Sequence, residues 1–356
     1  MTTVASRVIP HTRPHLGQEE IDAVSAVLSS GYIAEGPQVE QLEKEWCVAT
    51  GTAGAVAVGS GLAAIRLSLI SLGIRAGDEV IVPAYGCVSI LNAILAAGAT
   101  PVFSDVRRDD WTLDPAAAQQ ARTARTRAII AVHLFGMPAA MAELQSLGVP
   151  IVEDCAHGIG GMSARTPFGA SGTLSIASFY ATKMIAAGEG GIVASRETSR
   201  LQSIRSARNP SDQGPNAHHL NDKMTDIEAA IARVQLRRLP ATLERRRTLA
   251  ARYTERLAPL AGRELLVLPR EVPGRIWYRY AVRLTRHRAL DVAQQMQRGG
   301  VFADTPVWDL RPAVKWSGRL SESDLALDHL LSLPLYADLR EDDQERVVTA
   351  LTEALR

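Results

Sequence analysis

Seven short apolar runs, separated by helix-like segments, occupy the chain between about Ala55 and Ser195. They read AVAVG, EVIVPA, TPVFSDV, RAIIAVHLFG, PIVEDC, LSIASFY and GGIVAS, and each has turn residues at its ends. This alternation predicts an α/β fold in which helices cover a mostly parallel sheet. Such sheets bind ligands at the carboxyl ends of their strands. Asp105, Asp154 and Lys183 fall at or just beyond those ends, so they are candidate functional residues.

After the last apolar run, a loop leads to a long helical pattern that starts at Asp226. We expect this helix to break or kink at Pro240, because proline lacks the amide hydrogen of an interior helical turn. Further on, a strand-like YRYAVRL, a helix-like ALDVAQQMQRGG, a strand-like VFADTPVW and a terminal helix predict a small α+β unit. The expected organisation is a large domain with an N-terminal arm over residues 1–240 and a small C-terminal domain over residues 241–356.

The composition argues against several classes of protein. With 39 Lys and Arg against 38 Asp and Glu in 356 residues, no net charge draws the chain to nucleic acid or to an anionic membrane. Cys47, Cys87 and Cys155 are far apart and lack the CxxC spacing of a zinc site, so we expect no metal. No apolar stretch approaches the roughly 20 residues of a membrane span, and the first residues do not form a signal peptide. We therefore expect a cytoplasmic protein.

The stretch AVAVGSGLAAIRLSL predicts a phosphate site. An apolar strand reaches Gly59, Ser60 and Gly61, where a helix begins, so free backbone N–H groups and the positive helix end would face a phosphate. Read alone, GSGLAA also fits the GxGxxA pattern of a nicotinamide-dependent oxidoreductase, or a plain strand-to-helix turn. The dinucleotide pattern requires an acid at the end of the next strand, where EVIVPAY has Pro83 and Tyr85.

Two acidic residues, Glu153 and Asp154, end the apolar run PIVEDC. A carboxylate in so apolar a setting needs a cation or several hydrogen-bond donors, and it is then either a functional group or a structural one. His157 follows within the same stretch. Its two interpretations are a side chain that borders a planar ligand and a structural histidine.

Lys183 lies in SFYATKMIAAGEGG, with no other charge within five residues on either side. An amine nucleophile requires surroundings that leave it neutral part of the time, together with a carbonyl partner nearby. The glycines that follow would let backbone approach a cofactor closely. Together with the phosphate turn and the strand-end carboxylate, Lys183 completes the three attachments of pyridoxal phosphate (PLP): a lysine, a phosphate site and a partner for the pyridine nitrogen.

These segments resemble the PLP-dependent sugar aminotransferases of the DegT/StrS type, which have the fold-type-I aminotransferase architecture. The resemblance covers nearly the whole chain and rests on SGYIAEGPQVEQLE, GDEVIVPAYGCVSILNAILAAGATPVFSDV, VEDCAHGIGG, SFYATKMIAAGEGGIV, LNDKMTDIEAAIARVQL and SLPLY. It implies PLP as cofactor, a large PLP-binding domain with a mostly parallel sheet, and a small C-terminal α+β domain.

The resemblance also implies roles for single residues. Lys183 corresponds to the lysine that forms the Schiff base with PLP, and Asp154 to the partner of the pyridine nitrogen, so these two are the expected catalytic residues. Asn221 matches an asparagine that reaches the phosphate of the neighbouring subunit, which implies a homodimer with shared active sites. By position, the other cofactor-binding residues are the backbone of Gly61, Leu62 and Ala63 with the Ser178 hydroxyl around the phosphate, and Cys87 and His157 against the ring.

The resemblance predicts an aminotransferase that moves an amino group from a small donor, glutamate or glutamine, to a nucleotide-linked keto sugar. Because Cys87, His219 and Trp308 depart from the family pattern near the substrate, an enzyme acting on a cyclitol or another cyclic ketone is the alternative. Dehydratases of the same fold carry histidine in place of the lysine. A nicotinamide-dependent oxidoreductase built on GSGLAA and a non-catalytic PLP-binding sensor are alternatives of other classes.

Overall fold

The computed structural model describes residues 7–209, 211, 220–316 and 318–356. Its helices are α1 Gln18–Ser30, α2 Pro37–Thr50, α3 Gly61–Ser71, α4 Val88–Ala96, α5 Pro115–Ala121, α6 Met141–Gln145, α7 Thr198–Ala207, α8 Asp226–Gly262, α9 Ala289–Arg298, α10 Ser321–His329 and α11 Glu341–Ala354. Its strands are β1 Gly54–Val58, β2 Glu79–Pro83, β3 Tyr85–Gly86, β4 Thr100–Ser104, β5 Thr126–Val132, β6 Ile151–Asp154, β7 Met162–Ser163, β8 Thr166–Pro167, β9 Leu174–Ser178, β10 Gly191–Ser195, β11 Leu266–Val267, β12 Tyr280–Leu284, β13 Trp308–Asp309 and β14 Leu330–Leu333.

A central sheet of seven strands runs in the order β1-β10-β9-β6-β5-β2-β4 through the described residues. Neighbouring strands are parallel except where β10 pairs antiparallel with β1 and β9. Each of the seven apolar runs contributes one of these strands. The predicted α/β class with a mostly parallel sheet is therefore confirmed.

Both faces of the central sheet are buried, which explains why its strands are continuous apolar runs. Successive side chains of a strand point to opposite faces. In β2, Val80 and Val82 belong to the core that contains residues of α3 and α4, whereas Ile81 belongs to a core on the other face with Leu144 of α6. The helices therefore cover the sheet on two sides and leave the strand ends to form a site.

Helix α8 is continuous through Pro240, so a break there is wrong, whereas the alternative of a kink stays a prediction. Its first half packs against α1 and α2. From Leu249 onward its apolar residues enter a second core, called here the C-terminal core, which also contains residues of β12, α9, β14 and α11. This change of partners supports a domain boundary within α8, and we retain the boundary at residue 240 as a proposal.

The first described residues form an arm that reaches the C-terminal core. Ile9 is fully buried there, and it exchanges backbone hydrogen bonds of 2.9 Å with Gly300 and Phe302. The nearby VFADTPVW was expected to form a strand. Only Trp308 of that segment lies in one, β13, which pairs with β3, while Val301 and Asp304 form single bridges. None of the described helices is long and apolar enough to cross a membrane.

Candidate active site

A cleft of about 1020 Å³ opens at the carboxyl ends of the parallel strands. β5, β6 and β9 contribute Val132, Asp154 and Ser178, in agreement with the expected position of a ligand site. Of the residues predicted from the sequence, the described cleft wall brings together Gly61, Leu62, Cys87, Asp154, His157, Ser178 and Lys183. Ala63 and Asn221 do not line the described wall. The C-terminal part of the chain adds residues that the sequence did not single out for this wall, among them Tyr278, Arg279 and Asp304.

The turn between β1 and α3 allows a very close backbone approach. A Cβ atom on Gly61 would lie 2.7 Å from the Cβ of Ser178, so only glycine fits between the start of α3 and the end of β9. Ser60 caps α3 by accepting the Ala63 N–H at 3.1 Å. Gly61 and Leu62 line the cleft beside Ser178, which suits a phosphate at the helix N-terminus. The Ala63 N–H already donates to Ser60. The phosphate contact predicted for Ala63 stays a prediction.

The glycines after Lys183 approach the same turn. A Cβ on Gly191 would lie 2.6 Å from the backbone oxygen of Ser60, and Gly190, with φ +126°, forms a bridge with Ser60. The sequence suggested that these glycines let backbone approach a cofactor. In the structure they carry the loop that contains Lys183 back against the phosphate turn.

The two strand-end acids point to different sides of the sheet. The Glu153 carboxylate accepts a hydrogen bond from His133 Nε2 at 2.8 Å. It also accepts hydrogen bonds from the backbone N–H groups of Gly169, Ser171 and Gly172 at 2.7–2.9 Å. Burial raises the pKa of Glu153, but the hydrogen bond and charge of His133 and the N–H donors of Gly169 and Gly172 lower it by more. These contacts favour its interpretation as a structural group.

Asp154 instead faces the cleft, although it is also buried. Its Oδ1 accepts the Ala156 N–H at 2.8 Å. Burial raises the pKa of Asp154, and this effect exceeds the opposing hydrogen bond and the charges of Lys183 and His133. A buried carboxylate in this condition is well suited to pair with a cationic ring nitrogen, because the ring would supply the missing positive charge.

Lys183 lies in the loop between β9 and β10, where its backbone N–H donates to the backbone carbonyl oxygen of Tyr180 at 2.8 Å. Its Nζ lies 5.3 Å from the centroid of the Tyr278 ring, and it makes no ion pair with any described residue. Thr182 and Tyr180 also line the cleft.

His157 presents a flat, neutral ring in the cleft. It stacks on Tyr278 with ring centroids 4.2 Å apart and planes 24° apart. Burial is the main cause that holds the pKa of His157 well below its usual range, and the positive charges of Lys183 and Arg279 lower this pKa further. Its Nδ1 is buried without a hydrogen-bond partner among the described residues. A stacked neutral imidazole of this kind suits contact with an aromatic cofactor.

The sequence pattern does not single out Tyr278 and Arg279, because both fall within the strand-like YRYAVRL. The strand β12 begins only at Tyr280, and both preceding side chains line the cleft. Burial raises the pKa of Tyr278, but the charges of Lys183 and Arg279 and a hydrogen bond with Thr182 outweigh it and lower the pKa to about 8. No local pattern in the sequence indicated this clustering.

We expect an ultraviolet titration of the PLP-free protein to show one tyrosine ionising near pH 8. This signal should disappear in Tyr278→Phe. In Lys183→Ala it should move to higher pH, because a nearby positive charge favours the phenolate. A titration that is unchanged in Tyr278→Phe would contradict the assignment of this ionisation to Tyr278.

Asn221 is exposed, and its Oδ1 accepts the Lys223 ammonium at 2.9 Å. The segment around it is anchored to the phosphate turn, since Gly59 N–H donates to the Asp222 oxygen at 2.7 Å. Arg66 and Asp222 form an ion pair of 2.5 Å that holds it against α3. Asn221 therefore lies close to the phosphate turn but does not line the described wall of its own cleft. His219, noted above as a departure from the family pattern, lies outside the described residues.

The mouth of the cleft is partly aromatic. Trp308 lies opposite Gly86 in the β13–β3 pair and is 78% exposed. Cys87 follows β3 directly and lines the wall at the start of α4. Asp105, also noted in the sequence, does not line the described wall, because it caps α10 by accepting the Ser323 N–H at 2.8 Å. Trp308 and Cys87, noted above as departures from the family pattern that the sequence resembles, thus border the region open to a substrate.

The residues that face the cleft fit the attachments of PLP. A glycine turn that no Cβ could occupy lies at a helix N-terminus, as a phosphate requires. The buried carboxylate of Asp154 suits the ring nitrogen, and the neutral ring of His157, whose Nδ1 has no partner among the described residues, suits the ring face. The amine of Lys183, which pairs with no described carboxylate, suits the carbonyl carbon.

Comparison with known proteins gives the same result. The model of the DegT/DnrJ/EryC1/StrS aminotransferase family matches residues 14–352. The structure is similar to that of an aminotransferase TlmJ from Streptoalloteichus hindustanus, at 28% identity and a TM-score of 0.91 over 98% of each chain. It is also similar to S. venezuelae DesV in complex with ketimine intermediate, at 33% identity and a TM-score of 0.87 over 95% of this chain and 94% of the other.

A third similar structure is that of NtdA from Bacillus subtilis with bound cofactor PMP. It is 25% identical, with a TM-score of 0.86 over 96% of this chain and 83% of the other. The family match covers nearly the whole chain, and the cleft has the groups that the cofactor of this family requires. The chain therefore belongs to the DegT/DnrJ/EryC1/StrS aminotransferase family and is a PLP-dependent aminotransferase.

Proposed function

We propose that the chain transfers an amino group from glutamate or glutamine to a nucleotide-linked keto sugar, with Lys183 as the lysine that binds PLP covalently. The observation that carries this proposal is the convergence of Lys183, Asp154 and the glycine turn at Gly61 in one cleft. Each group lies in a different segment of the chain. All three line the cleft at one edge of the sheet, as the binding of a single cofactor would require.

Bound PLP supplies an electron sink for the substrate carbon that carries the amino group. The remaining work is done by residues of the chain. The N-terminus of α3 and Ser178 would hold the phosphate, and Asp154 would hold a proton on the pyridine nitrogen. The amine of Lys183 would move the proton between the substrate carbon and the cofactor.

A sugar is the acceptor that the cleft mouth supports best. An indole as exposed as that of Trp308 offers an apolar face of the kind that packs on a saturated ring, with its N–H available to a hydroxyl. The cleft volume of about 1020 Å³ also leaves room for an acceptor beyond a cofactor. The resemblance to sugar aminotransferases supports the same class.

We further propose a homodimer in which Asn221 contacts the phosphate of the partner's site. The support is that Asn221 is exposed beside the phosphate turn and does not line its own cleft. Light scattering should give the mass of two chains of 38.3 kDa each. The mass of a single chain at the protein concentration of the activity assay would contradict the proposal that two subunits share their active sites.

The function is tested by the visible absorption spectrum of the PLP-reconstituted protein. The band of PLP bound to a lysine should appear, and glutamate or glutamine should convert it to the spectrum of pyridoxamine phosphate. A screen of nucleotide-linked keto sugars and cyclic ketones should then identify the acceptor, because the correct compound restores the first band. Failure of PLP to bind, or a band that no amino donor changes, would overturn the proposal. Restoration by cyclic ketones alone would replace the sugar by that class of acceptor.

A further inference from the structure

The cleft contains a guanidinium group that no described carboxylate neutralises. Arg279 lines the wall contributed by the C-terminal part of the chain and is only partly buried. It forms no ion pair within the described residues. Arg311, near the mouth of the same cleft, is different: it pairs with Asp309 at 2.8 Å and with Asp324 at 2.6 Å. Arg311 is thus held by the protein itself, whereas the charge of Arg279 remains available.

The N-terminal arm and an aromatic ring fix the position of Arg279. Its Nη1 lies 3.2 Å and 3.3 Å from the two ring nitrogens of His11, and its Cζ lies 4.9 Å from the centroid of the Tyr278 ring. His11 is in turn held by a 2.8 Å contact with the Ser332 hydroxyl. Nε and Nη2 of Arg279 make no hydrogen bond to any described residue. Because a guanidinium presents its donors as a planar fork, this arrangement leaves two donors for a ligand.

The surroundings of Arg279 have an excess of positive charge. Lys183 Nζ lies near the same Tyr278 ring, and Arg246 is buried behind it, where it donates to the backbone oxygens of Trp277 and Tyr278 at 2.8 Å and 2.6 Å. His11 contributes no negative charge. The acid that faces this group is Asp304, which forms no ion pair with Arg279 within the described residues; burial raises the pKa of Asp304, and the charge of Arg279 opposes this rise. An anionic ligand would relieve this imbalance.

We infer that Arg279 binds a carboxylate of the substrate through Nε and Nη2. This inference rests on the proposed function and adds to it a residue that recognises the amino donor. Arg279 Cζ and Lys183 Nζ lie 4.9 Å and 5.3 Å from the centroid of the same Tyr278 ring, and both residues line the cleft. The inference therefore has one amino acid reach the lysine with its amine and the guanidinium with a carboxylate. Two parallel charge-assisted hydrogen bonds then orient the donor. The same chemistry would hold a carboxylate on the acceptor.

The test compares Arg279→Leu with Arg283→Leu. Arg283 lies on β12, outside the described cleft wall, so its variant controls for the loss of one positive charge near the site. Equilibrium binding of glutarate, an unreactive dicarboxylate, should weaken at least about tenfold in Arg279→Leu and remain unchanged in Arg283→Leu. Arg279→Lys should bind with intermediate strength, because an ammonium keeps the charge but not the fork. Equal glutarate binding by Arg279→Leu and the unmutated protein would overturn the inference.

A second measurement distinguishes the source of the carboxylate. The half-saturating concentration of glutamate in the donor reaction should rise in Arg279→Leu at least about tenfold more than that of n-butylamine, which has no carboxylate. An equal change for both amines, with a loss confined to acceptors that carry a carboxylate, would overturn the donor assignment and support acceptor binding. If the unmutated protein reacts with neither amine, the proposed function fails, whereas glutarate binding still decides the role of Arg279.

Discussion

Replacing Lys183 by alanine is expected to abolish amino transfer while leaving the protein folded. The lysine supplies both the covalent attachment of the cofactor and the group that moves the proton, so single-turnover rates should fall by at least about 10⁴-fold. The fold should be spared because the side chain makes no ion pair with any described residue and is only partly buried. Stopped-flow absorption with glutamate measures the first effect, and thermal melting followed by circular dichroism measures the second.

The matched control is Lys44→Ala, because Lys44 is exposed on α2. That variant should retain both the absorption band and the rate. If Lys183→Ala forms the same band as the unmutated protein and turns over, another amine carries the chemistry and the assignment of Lys183 is wrong. Tyr278 would then also lose its role as a neighbour of the reacting amine.

Asp154→Asn is expected to bind PLP and to lose most of the rate, by about 10²- to 10⁴-fold. An amide has nearly the shape of the carboxylate, and its oxygen can still accept the Ala156 N–H, so the site should keep its geometry. It has no negative charge with which to hold a proton on the pyridine nitrogen. Rapid-mixing kinetics of the donor reaction measure the loss. A rate within threefold of the original would exclude Asp154 as the partner of the ring nitrogen.

The neighbouring acid provides an informative comparison. Glu153→Gln should reduce the free energy of unfolding by about 3 kcal/mol, because the buried oxygens of Glu153 accept four donors. Since the pKa of Glu153 is lowered in the folded state, its contribution is complete above the ordinary carboxyl pKa and is lost as the pH falls below it. The folded fraction of this variant should still react. Two adjacent carboxylates would thus be separated into a catalytic and a structural one by rate and by stability.

The sequence predicted the large sheet well. Each apolar run became a strand because strands covered on both faces need no polar alternation, and that pattern is readable without tertiary information. The strand-end positions of Asp154 and Lys183 followed from the same rule, which brings carboxyl ends to one edge. Gly61 was identifiable as part of a strand-to-helix turn. Its close contact with the Cβ of Ser178 was not, because β9 lies far along the chain.

The wall opposite the sheet could not be predicted in the same way. Tyr278 and Arg279 precede a strand whose first residue cannot be located by alternation alone, and their neighbours Lys183 and His11 come from distant parts of the chain. The apolar VFADTPVW reads as a strand, but Pro306 lies within it and its residues border a cleft. The continuity of α8 through Pro240 likewise depends on packing against two cores, and packing outweighs the local preference of proline.

The burial of Ile9 against Val301 has a consequence for how the molecule forms. The two residues lie near opposite ends of the chain, so during synthesis Ile9 leaves the ribosome long before its partner exists. Closing so long a loop costs entropy that local contacts do not offset, and contacts between distant residues form slowly. We therefore expect the arm to dock last, after the sheet and the C-terminal core have folded. His11 would reach Arg279 in that same event, so the substrate-binding wall would mature only when folding is complete.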